Sequence, residues 1–251
     1  MRLTKAFVVG RHTQRLKRVF ARHFKIDMRK PDFVVSYGGD GTILYAERTY
    51  PGFPKIAFRN SSRCKRCLLG ATPKIHKATE KVYCEACLEN AIGKLKRGKF
   101  KILEFQKVEA TAFFTKNGRR NSKTLIGLND VQIHNSNHFH AVRFDFCLDG
   151  VCLEKEIIGD GVVVASLYGA TAYFHAISRK TFSKGFGIAF NNPLTPIRPI
   201  FPKDGFKAEA HIQRRNAELV ADNNPEMIAL RKGDKVVFRP SKEKARIIQL
   251  Q

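Results

Sequence analysis

The residues best suited to chemistry are a run of glycines that surrounds one carboxylate and one hydroxyl. Gly38 and Gly39 precede Asp40, and Gly41 and Thr42 follow it. Backbone N–H groups at such a turn before a helix suit phosphate oxygens, and glycines let a ligand approach closely. A carboxylate inside a phosphate-binding loop repels its ligand, so Asp40 makes sense as a group that accepts a proton. A tight structural turn is the alternative interpretation.

Four cysteines form the second candidate group. They make two C-x2-C pairs separated by sixteen residues, and they are Cys64, Cys67, Cys84 and Cys87. This spacing suits a tetrahedral Zn(II) site closed by two knuckles, with all four coordination positions filled. We therefore predict structural zinc in an insertion at about residues 60–90. Coincidental spacing or two local disulfides is the alternative.

The elements that must position the glycine run follow an α/β pattern. A hydrophobic strand runs directly into the glycines and a helix continues after them, which is the layout of an α/β phosphate-binding loop. Hydrophobic periodicity predicts strands at 5–10, 32–37 and 55–59 and helices at 11–24, 43–49 and 89–96. We assign residues 1–104 to an α/β nucleotide-binding domain that contains the cysteine insertion.

The second half of the chain changes to alternation with period two. It predicts strands at 107–114, 124–134, 139–148 and 151–158. Residues 105–251 are therefore assigned to a mostly-β domain. Asp149-Gly150 predicts a two-residue hairpin turn, which places Cys147 opposite Cys152. We expect reduced thiols there because disulfides are rare in a reducing cytoplasm, and a disulfide is the alternative.

Composition limits the class of protein. The chain has 251 residues, 43% of them hydrophobic, and contains no apolar run of the roughly 18 to 20 residues that a membrane span needs. We expect a cytoplasmic protein with no membrane association. Its net charge of +24 attracts polyanions such as nucleotides, polyphosphate or nucleic acid. The basic residues are spread along the chain, which favours a charged surface over a nucleotide-binding fold and makes dedicated nucleic-acid binding the less favoured alternative.

Several segments together resemble the ATP-NAD kinase family. The glycine run after a hydrophobic strand is also similar to diacylglycerol and sphingosine kinases and, more remotely, to 6-phosphofructokinases. Residues 127–130 resemble the Asn-Glu/Asp motif of NAD kinases, and residues 159–173 are similar to their D-G-…-T-P-T-G-S-T-A-Y stretch. Residues 192–199 resemble their Leu-Thr-Pro-Arg-Pro segment. The resemblance covers most of the chain outside residues 60–90.

The resemblance implies a kinase that transfers a phosphoryl group from ATP, or from polyphosphate, to the adenosine ribose 2′-hydroxyl of NAD. Asp40 would accept the hydroxyl proton, while Mg²⁺ and the amides of the glycine run neutralise developing charge. The family pattern also implies a homodimer or homotetramer. The dinucleotide-binding residues that it implies are Asn129 and Asp130 for adenine and ribose, Thr171, Ala172 and Tyr173 for the adenine pocket, and Asp160 for the nicotinamide half.

This chain departs from the family pattern next to the nucleotide. Ser166-Leu167-Tyr168-Gly169-Ala170-Thr171 replaces Thr-Pro-Thr-Gly-Ser-Thr, so two hydroxyls and a proline are missing. Lost hydrogen-bonding groups change which nucleotide a site accepts. Two further hypotheses therefore stay open. One is a catalytically divergent kinase fold that binds RNA or another polyanion through its basic surface and zinc knuckle, and the other is a kinase for a different hydroxyl compound.

Overall fold

The chain, described by a computed structural model over residues 3–59 and 85–251, separates into two compact units. The first unit is Met1–Glu104 together with Ala245–Gln251, and the second is Phe105–Lys244. The first is α/β and the second is rich in sheet, so the predicted fold class is confirmed. Each unit has its own hydrophobic core. Within the described ranges, no helix is both long and apolar enough to cross a membrane.

The elements are numbered in chain order. The helices are α1 (Gln14–Ala21), α2 (Asp40–Thr49), α3 (Glu85–Lys96) and α4 (Tyr173–Ser178). The first strands are β1 (Lys5–Gly10), β2 (Lys25–Ile26), β3 (Phe33–Gly38), β4 (Lys55–Arg59), β5 (Phe100–Lys116), β6 (Arg119–Gly127), β7 (Asp130–Asn135) and β8 (Val142–Leu148). They continue with β9 (Val151–Gly159), β10 (Gly161–Ser166), β11 (Phe186–Asn191), β12 (Ala208–Arg214), β13 (Ala217–Ala221), β14 (Ile228–Leu230) and β15 (Lys235–Leu250).

The first unit is built on a parallel sheet with the strand order β2-β1-β3-β4. Five of the six residues of β3 are buried, as expected for a strand covered on both faces. Phenylalanines fill much of the core on one face. The ring of Phe24 packs edge-on against Phe33 at 5.1 Å between centroids, and Phe20 packs against Phe58 at 6.1 Å. This packing fixes the strand that leads into the glycine run.

The helix after the glycine run begins earlier than predicted. α2 begins at Asp40 rather than at Ile43, and Gly39 in extended conformation is its N-cap residue. The first turn of a helix carries unpaired N–H groups and a partial positive charge, which favour a carboxylate there. Asp40 is thus the first helical residue and its backbone belongs to a rigid element.

The second unit contains two antiparallel arrangements of strands. One has the order β15-β12-β8-β9, and the other has the order β11-β10-β7-β13-β14. β5 and β6 form a long hairpin. The core draws residues from both sets of strands, for example Phe144 and Phe238 from the first and Ile133 and Leu219 from the second. The predicted strand at 124–134 is in fact two strands, β6 and β7, separated by Leu128 and Asn129.

The β8–β9 hairpin has the predicted turn and the predicted register. Asp149 and Gly150 both have positive φ, at 50° and 84°, as a two-residue hairpin turn requires. Cys147 lies opposite Cys152, and the two are joined in a disulfide. The expectation of free thiols was therefore wrong. Directly opposed residues in an antiparallel pair hold their Cβ atoms close enough for an S–S bond, and this local geometry outweighs the argument from compartment.

Candidate active site

The glycine run forms a tight turn between β3 and α2. A Cβ atom added to Gly38 would lie 2.1 Å from the Thr42 hydroxyl oxygen, so the close approach of these two residues requires glycine. The Thr42 N–H donates to the Gly39 carbonyl at 3.0 Å. Gly39, Asp40 and Gly41 are all exposed. The turn therefore places an exposed acidic residue between exposed glycines at the start of a helix, where phosphate oxygens are favoured.

A buried ion pair holds α2 against the sheet of the first unit. Glu47, on α2, contacts the ammonium of Lys55 at the start of β4. Both residues are almost fully buried, with 3% and 0% exposure. Removing one partner of such a pair leaves a desolvated charge and costs about 3–5 kcal/mol. The pair therefore fixes the helix that begins at Asp40.

In the second unit, the turn at Leu128 and Asn129 is held by the carboxylate of Asp222. The Leu128 N–H donates to Asp222 Oδ2 at 2.7 Å, and the N–H groups of Asn129 and Asp130 donate to Oδ1 at 2.7 and 3.2 Å. The Asp222 N–H in turn donates to the Asp130 carbonyl at 3.0 Å. Three successive N–H groups thus converge on one carboxylate, which fixes the backbone of the Asn129-Asp130 motif.

The same turn is closed from the other side by the end of β10. The Ser166 N–H donates to the Asn129 carbonyl at 2.8 Å, and the Ser166 hydroxyl donates to the Leu128 carbonyl. A Cβ atom added to Gly169 would lie 2.2 Å from the Asn129 carbonyl oxygen. Ser166 is fully buried. The altered segment therefore keeps the two residues that pack against the Asn129 turn. The Ser166 hydroxyl donates to this turn, and Gly169 leaves room for its backbone.

Along β7, three polar side chains form a hydrogen-bonded chain. Asp130, Gln132 and His134 alternate in sequence and so share one face of the strand. The Gln132 amide donates to Asp130 Oδ1 and accepts from His134 Nε2. With the Gln132 oxygen as acceptor, His134 must carry its proton on Nε2. Burial lowers the pKa of His134, although Asp160 and Glu218 act in the opposite direction.

Asp130 is the most strongly perturbed acid described. It is 3% exposed, and burial raises its pKa from 3.8 to about 7, with Gln132 opposing the rise and the nearby charge of Asp222 adding to it. Burial also raises the pKa of Asp222, against the lowering effect of its three N–H donors. A buried carboxyl group beside a half-buried one, both with raised pKa, is typical of functional sites.

The network continues to Tyr173 at the start of α4. Its ring centroid lies 5.7 Å from that of His134, and its hydroxyl accepts a hydrogen bond from Asn191 at 3.2 Å. Burial raises the pKa of Tyr173, and the charges of Asp160 and Asp130 add to the rise. The predicted dinucleotide residues Asp130, Asp160 and Tyr173 are therefore neighbours.

Asp160 lies between β9 and β10 with an amide on each side. Asn135 donates to its Oδ1 at 3.3 Å and Asn192 to its Oδ2 at 3.1 Å. Asp222, Gln132 and Asn191 were not identified from the sequence. Alternation along β7 could have indicated Gln132, whereas no local pattern marks Asp222.

Comparison with known proteins shows which proteins the chain is similar to. No protein-family model matches the chain. It is 24% identical over 224 residues to an NAD kinase of Thermomicrobium roseum, covering 87% of this chain and 71% of that protein. It is 26% identical over 240 residues to an NAD kinase of Sulfurisphaera tokodaii, covering 90% and 84%. With an NAD kinase of Methanopyrus kandleri it shares 30% identity over 186 residues, covering 73% and 56%.

Solved structures show the same fold. Yeast NADH kinase, determined with NADH, gives a TM-score of 0.77 at 17% identity, covering all of this chain and 84% of that one. An NAD kinase from Archaeoglobus fulgidus, determined with ATP, gives 0.68 at 19% identity, covering 99% and 94%. The chain is similar to NAD kinases in sequence and in fold. Sequence and fold agree on this although the segment at 166–171 is altered.

The structure also shows where the remaining predicted residues lie. Thr171 is exposed and Ala172 is half-buried, directly before α4. Cys64, Cys67, Cys84 and the side chain of Cys87 lie outside the described residues, so the zinc site stays a prediction. Among the residues that the structure describes, no cluster of three or more His, Cys, Asp or Glu side chains could hold a metal ion.

Proposed function

We propose that this chain transfers a phosphoryl group from ATP to the adenosine ribose 2′-hydroxyl of NAD, giving NADP. The observation that carries the proposal is the exposed carboxylate of Asp40 at the start of α2, inside a glycine turn, in a chain similar to NAD kinases. Polyphosphate is the alternative donor, since a protein with a net charge of +24 attracts it.

In the proposed reaction Asp40 accepts the proton of the 2′-hydroxyl as that oxygen attacks the γ-phosphorus. A new O–P bond forms, the bond from the γ-phosphorus to the β–γ bridging oxygen breaks, and ADP leaves. At this turn the positive end of the helix dipole favours the negative charge of the phosphate. The residues of the turn position the transferring group and stabilise its charge, which is most of the catalysis that phosphoryl transfer needs.

The donor set at this turn fits Mg²⁺ brought by ATP. An exposed carboxylate together with phosphate oxygens is the ligand combination that Mg²⁺ prefers, since it keeps several waters and is bound by one or two carboxylates plus substrate phosphates. Asp40 is the residue that would hold it, and the ion would supply neutralisation of the phosphate charge.

The second unit supplies the proposed dinucleotide site. The fixed Asn129-Asp130 backbone directs both side chains to adenine and ribose, and Thr171, Ala172 and Tyr173 line the adenine pocket, with the Tyr173 ring as a stacking face. Asp160 binds the nicotinamide half. Its two oxygens accept one amide hydrogen bond each from Asn135 and Asn192, which leaves acceptor sites for a ligand. A carboxyl group with a pKa of about 7, as at Asp130, can either accept from or donate to a ribose hydroxyl near neutral pH.

The test is formation of NADP from NAD in a coupled assay. Asp40→Asn keeps the size of the side chain and removes the proton acceptor, so we expect a loss of about 10²–10⁴-fold in kcat. Glu89→Gln, which neutralises an exposed carboxylate on α3 of the same unit, is the matched control and should leave the rate unchanged. Full activity of Asp40→Asn would refute the assigned role, and a panel of ATP and polyphosphate as donors identifies the phosphoryl source.

Three parts of the account stay predictions. They are the homodimer or homotetramer, the cytoplasmic location and the structural Zn²⁺. Light scattering on the purified chain measures the first. Metal analysis measures the third, with about one zinc per chain as the expected result for a four-cysteine site.

A further inference from the structure

Three exposed turns of the second unit carry a concentration of cations that the proposed kinase site does not use. They are the tip of the β5–β6 hairpin, the turn between β12 and β13, and the turn between β14 and β15. We call these three turns the basic turn surface. Its exposed cations are Lys116, Arg119, Arg120, Arg214, Arg215, Arg231 and Lys232.

Hydrogen bonds to the backbone and to the side chain of Asp234 join the three turns to one another. The Thr115 N–H donates to Asp234 Oδ1 at 3.3 Å, and the Arg231 N–H donates to Asp234 Oδ2 at 2.7 Å. The Gly233 N–H donates to the Ile212 carbonyl at 2.8 Å, and the Ile212 N–H donates to the Asp234 carbonyl at 2.9 Å. The hairpin tip and the ends of β12 and β14 therefore meet around Asp234.

The positive charge of this surface is not neutralised locally. None of the seven cations forms an ion pair with any residue that the structure describes. The carboxylate at the centre, Asp234, is only 8% exposed and accepts two backbone N–H bonds. Flanking cations behave differently, since Lys123 pairs with Glu226 and Arg239 pairs with Glu109. The neighbouring cations are thus paired with carboxylates, whereas the cations of the basic turn surface are not paired with any described residue.

The shape and composition of the surface identify the kind of anion. The cations lie on exposed turns rather than in a pocket, which suits a polymer laid across them. Five of the seven are arginines, whose planar fork matches phosphate oxygens. Within the described residues β6 pairs only with β5, and residues 119–124 of β6 are exposed. Exposed turns of this kind can contact the phosphates along one side of a duplex.

Base stacking has no platform here. Residues 115–120, 213–216 and 231–235 contain no aromatic side chain, and the Lys235 ammonium lies 5.5 Å from the centroid of the nearby Phe113 ring, over one face of it. Single-strand binding proteins depend on such rings. We propose that the basic turn surface binds duplex nucleic acid through its phosphate backbone, without reading sequence. Contacts of this kind fix affinity and salt dependence and carry no sequence information.

Fluorescence anisotropy with a labelled 20-base-pair DNA duplex of arbitrary sequence tests the proposal. If all seven cations contact phosphates, affinity falls on the order of 10³–10⁴-fold between about 50 and 200 mM salt. Arg119→Ser/Arg120→Ser should weaken binding on the order of 10–100-fold at about 0.1 M salt and reduce the salt slope by about 1.8. The double variant Arg231→Ser/Lys232→Ser should show the same loss of affinity and the same reduction of the salt slope.

The matched control removes the same charge from exposed positions in the first unit. Arg18→Ser/Arg22→Ser, on and directly after α1, should change duplex affinity by less than about twofold. NADP formation by all three variants should equal that of the parent chain, which shows that they fold and separates this proposal from the proposed function. The assignment would be overturned if the control variant lost as much duplex affinity as the other two. It would also be overturned if the chain bound a single strand or polyphosphate at least tenfold more tightly than the duplex.

Discussion

Replacing Asp130 by Asn should make the chain more stable at alkaline pH. Asp130 is buried at 3% exposure, and its pKa rises from 3.8 to about 7. Asn copies the neutral carboxyl group and keeps an oxygen that can accept from Gln132. The variant therefore removes an ionisation without removing a hydrogen bond, which isolates the electrostatic cost of the buried charge.

The size and sign follow from the shift in pKa. A rise of about 3 units corresponds to about 4 kcal/mol at 1.36 kcal/mol per unit. Because the folded pKa is the higher one, the stability contributed by protonated Asp130 is fully present below pH 3.8 and is lost as pH rises through about 7. Asn does not titrate, so the advantage of the variant should grow by roughly 2–3 kcal/mol between about pH 5 and pH 8.

Urea unfolding at several pH values measures this difference. Asp32→Asn gives a control of opposite sign. Burial acts to raise the pKa of Asp32, but hydrogen bonds from the Thr4 and Lys5 N–H groups and the Thr4 hydroxyl outweigh it and lower the pKa. Its carboxylate contributes stability above the unfolded pKa and loses it on acidification, so Asp32→Asn should be destabilising near neutral pH. Parallel stability curves for the parent chain and Asp130→Asn would refute the assigned burial cost.

Three further substitutions test the supports of the site. Asp222→Asn leaves the Leu128 N–H without its carboxylate acceptor. In steady-state kinetics the variant should raise the KM for NAD about tenfold, with a smaller effect on kcat. A change confined to kcat would contradict a positioning role. Glu47→Gln removes the buried counter-charge of Lys55 and should cost about 3–5 kcal/mol in urea unfolding, whereas a loss under 1 kcal/mol would show that the pair is not desolvated. Ser166→Ala should cost about 1–3 kcal/mol and raise the KM for NAD, and unchanged values of both would remove its role at the turn.

Local features of the fold were predictable from the sequence. A two-residue hairpin turn requires positive φ at two adjacent positions, which Asp149-Gly150 tolerates, so both the turn and the register of β8 and β9 were correctly predicted. The strand, glycine turn and helix around Asp40 were likewise evident because each part depends on neighbouring residues.

Features that depend on distant residues were not predictable in this way. Asp222 contacts a turn 92 to 94 positions earlier in the chain, and nothing near it in sequence indicates this partner. The interruption at Leu128 and Asn129 was also missed, and contacts with the distant residues Asp222 and Ser166 hold this break in place. The disulfide between Cys147 and Cys152 was not predicted. The argument that disulfides are rare in a reducing cytoplasm was given more weight than the strand register that places the two cysteines opposite each other.

The most direct test of the account is the identity of the product formed from NAD and a phosphoryl donor. The purified chain, incubated with NAD, ATP and Mg²⁺, should yield a dinucleotide that an NADP-specific dehydrogenase reduces and whose phosphate lies on the 2′-oxygen of the adenosine ribose by phosphorus–proton NMR. A folded chain that phosphorylates another position, or that forms no NADP with either ATP or polyphosphate, would contradict the account.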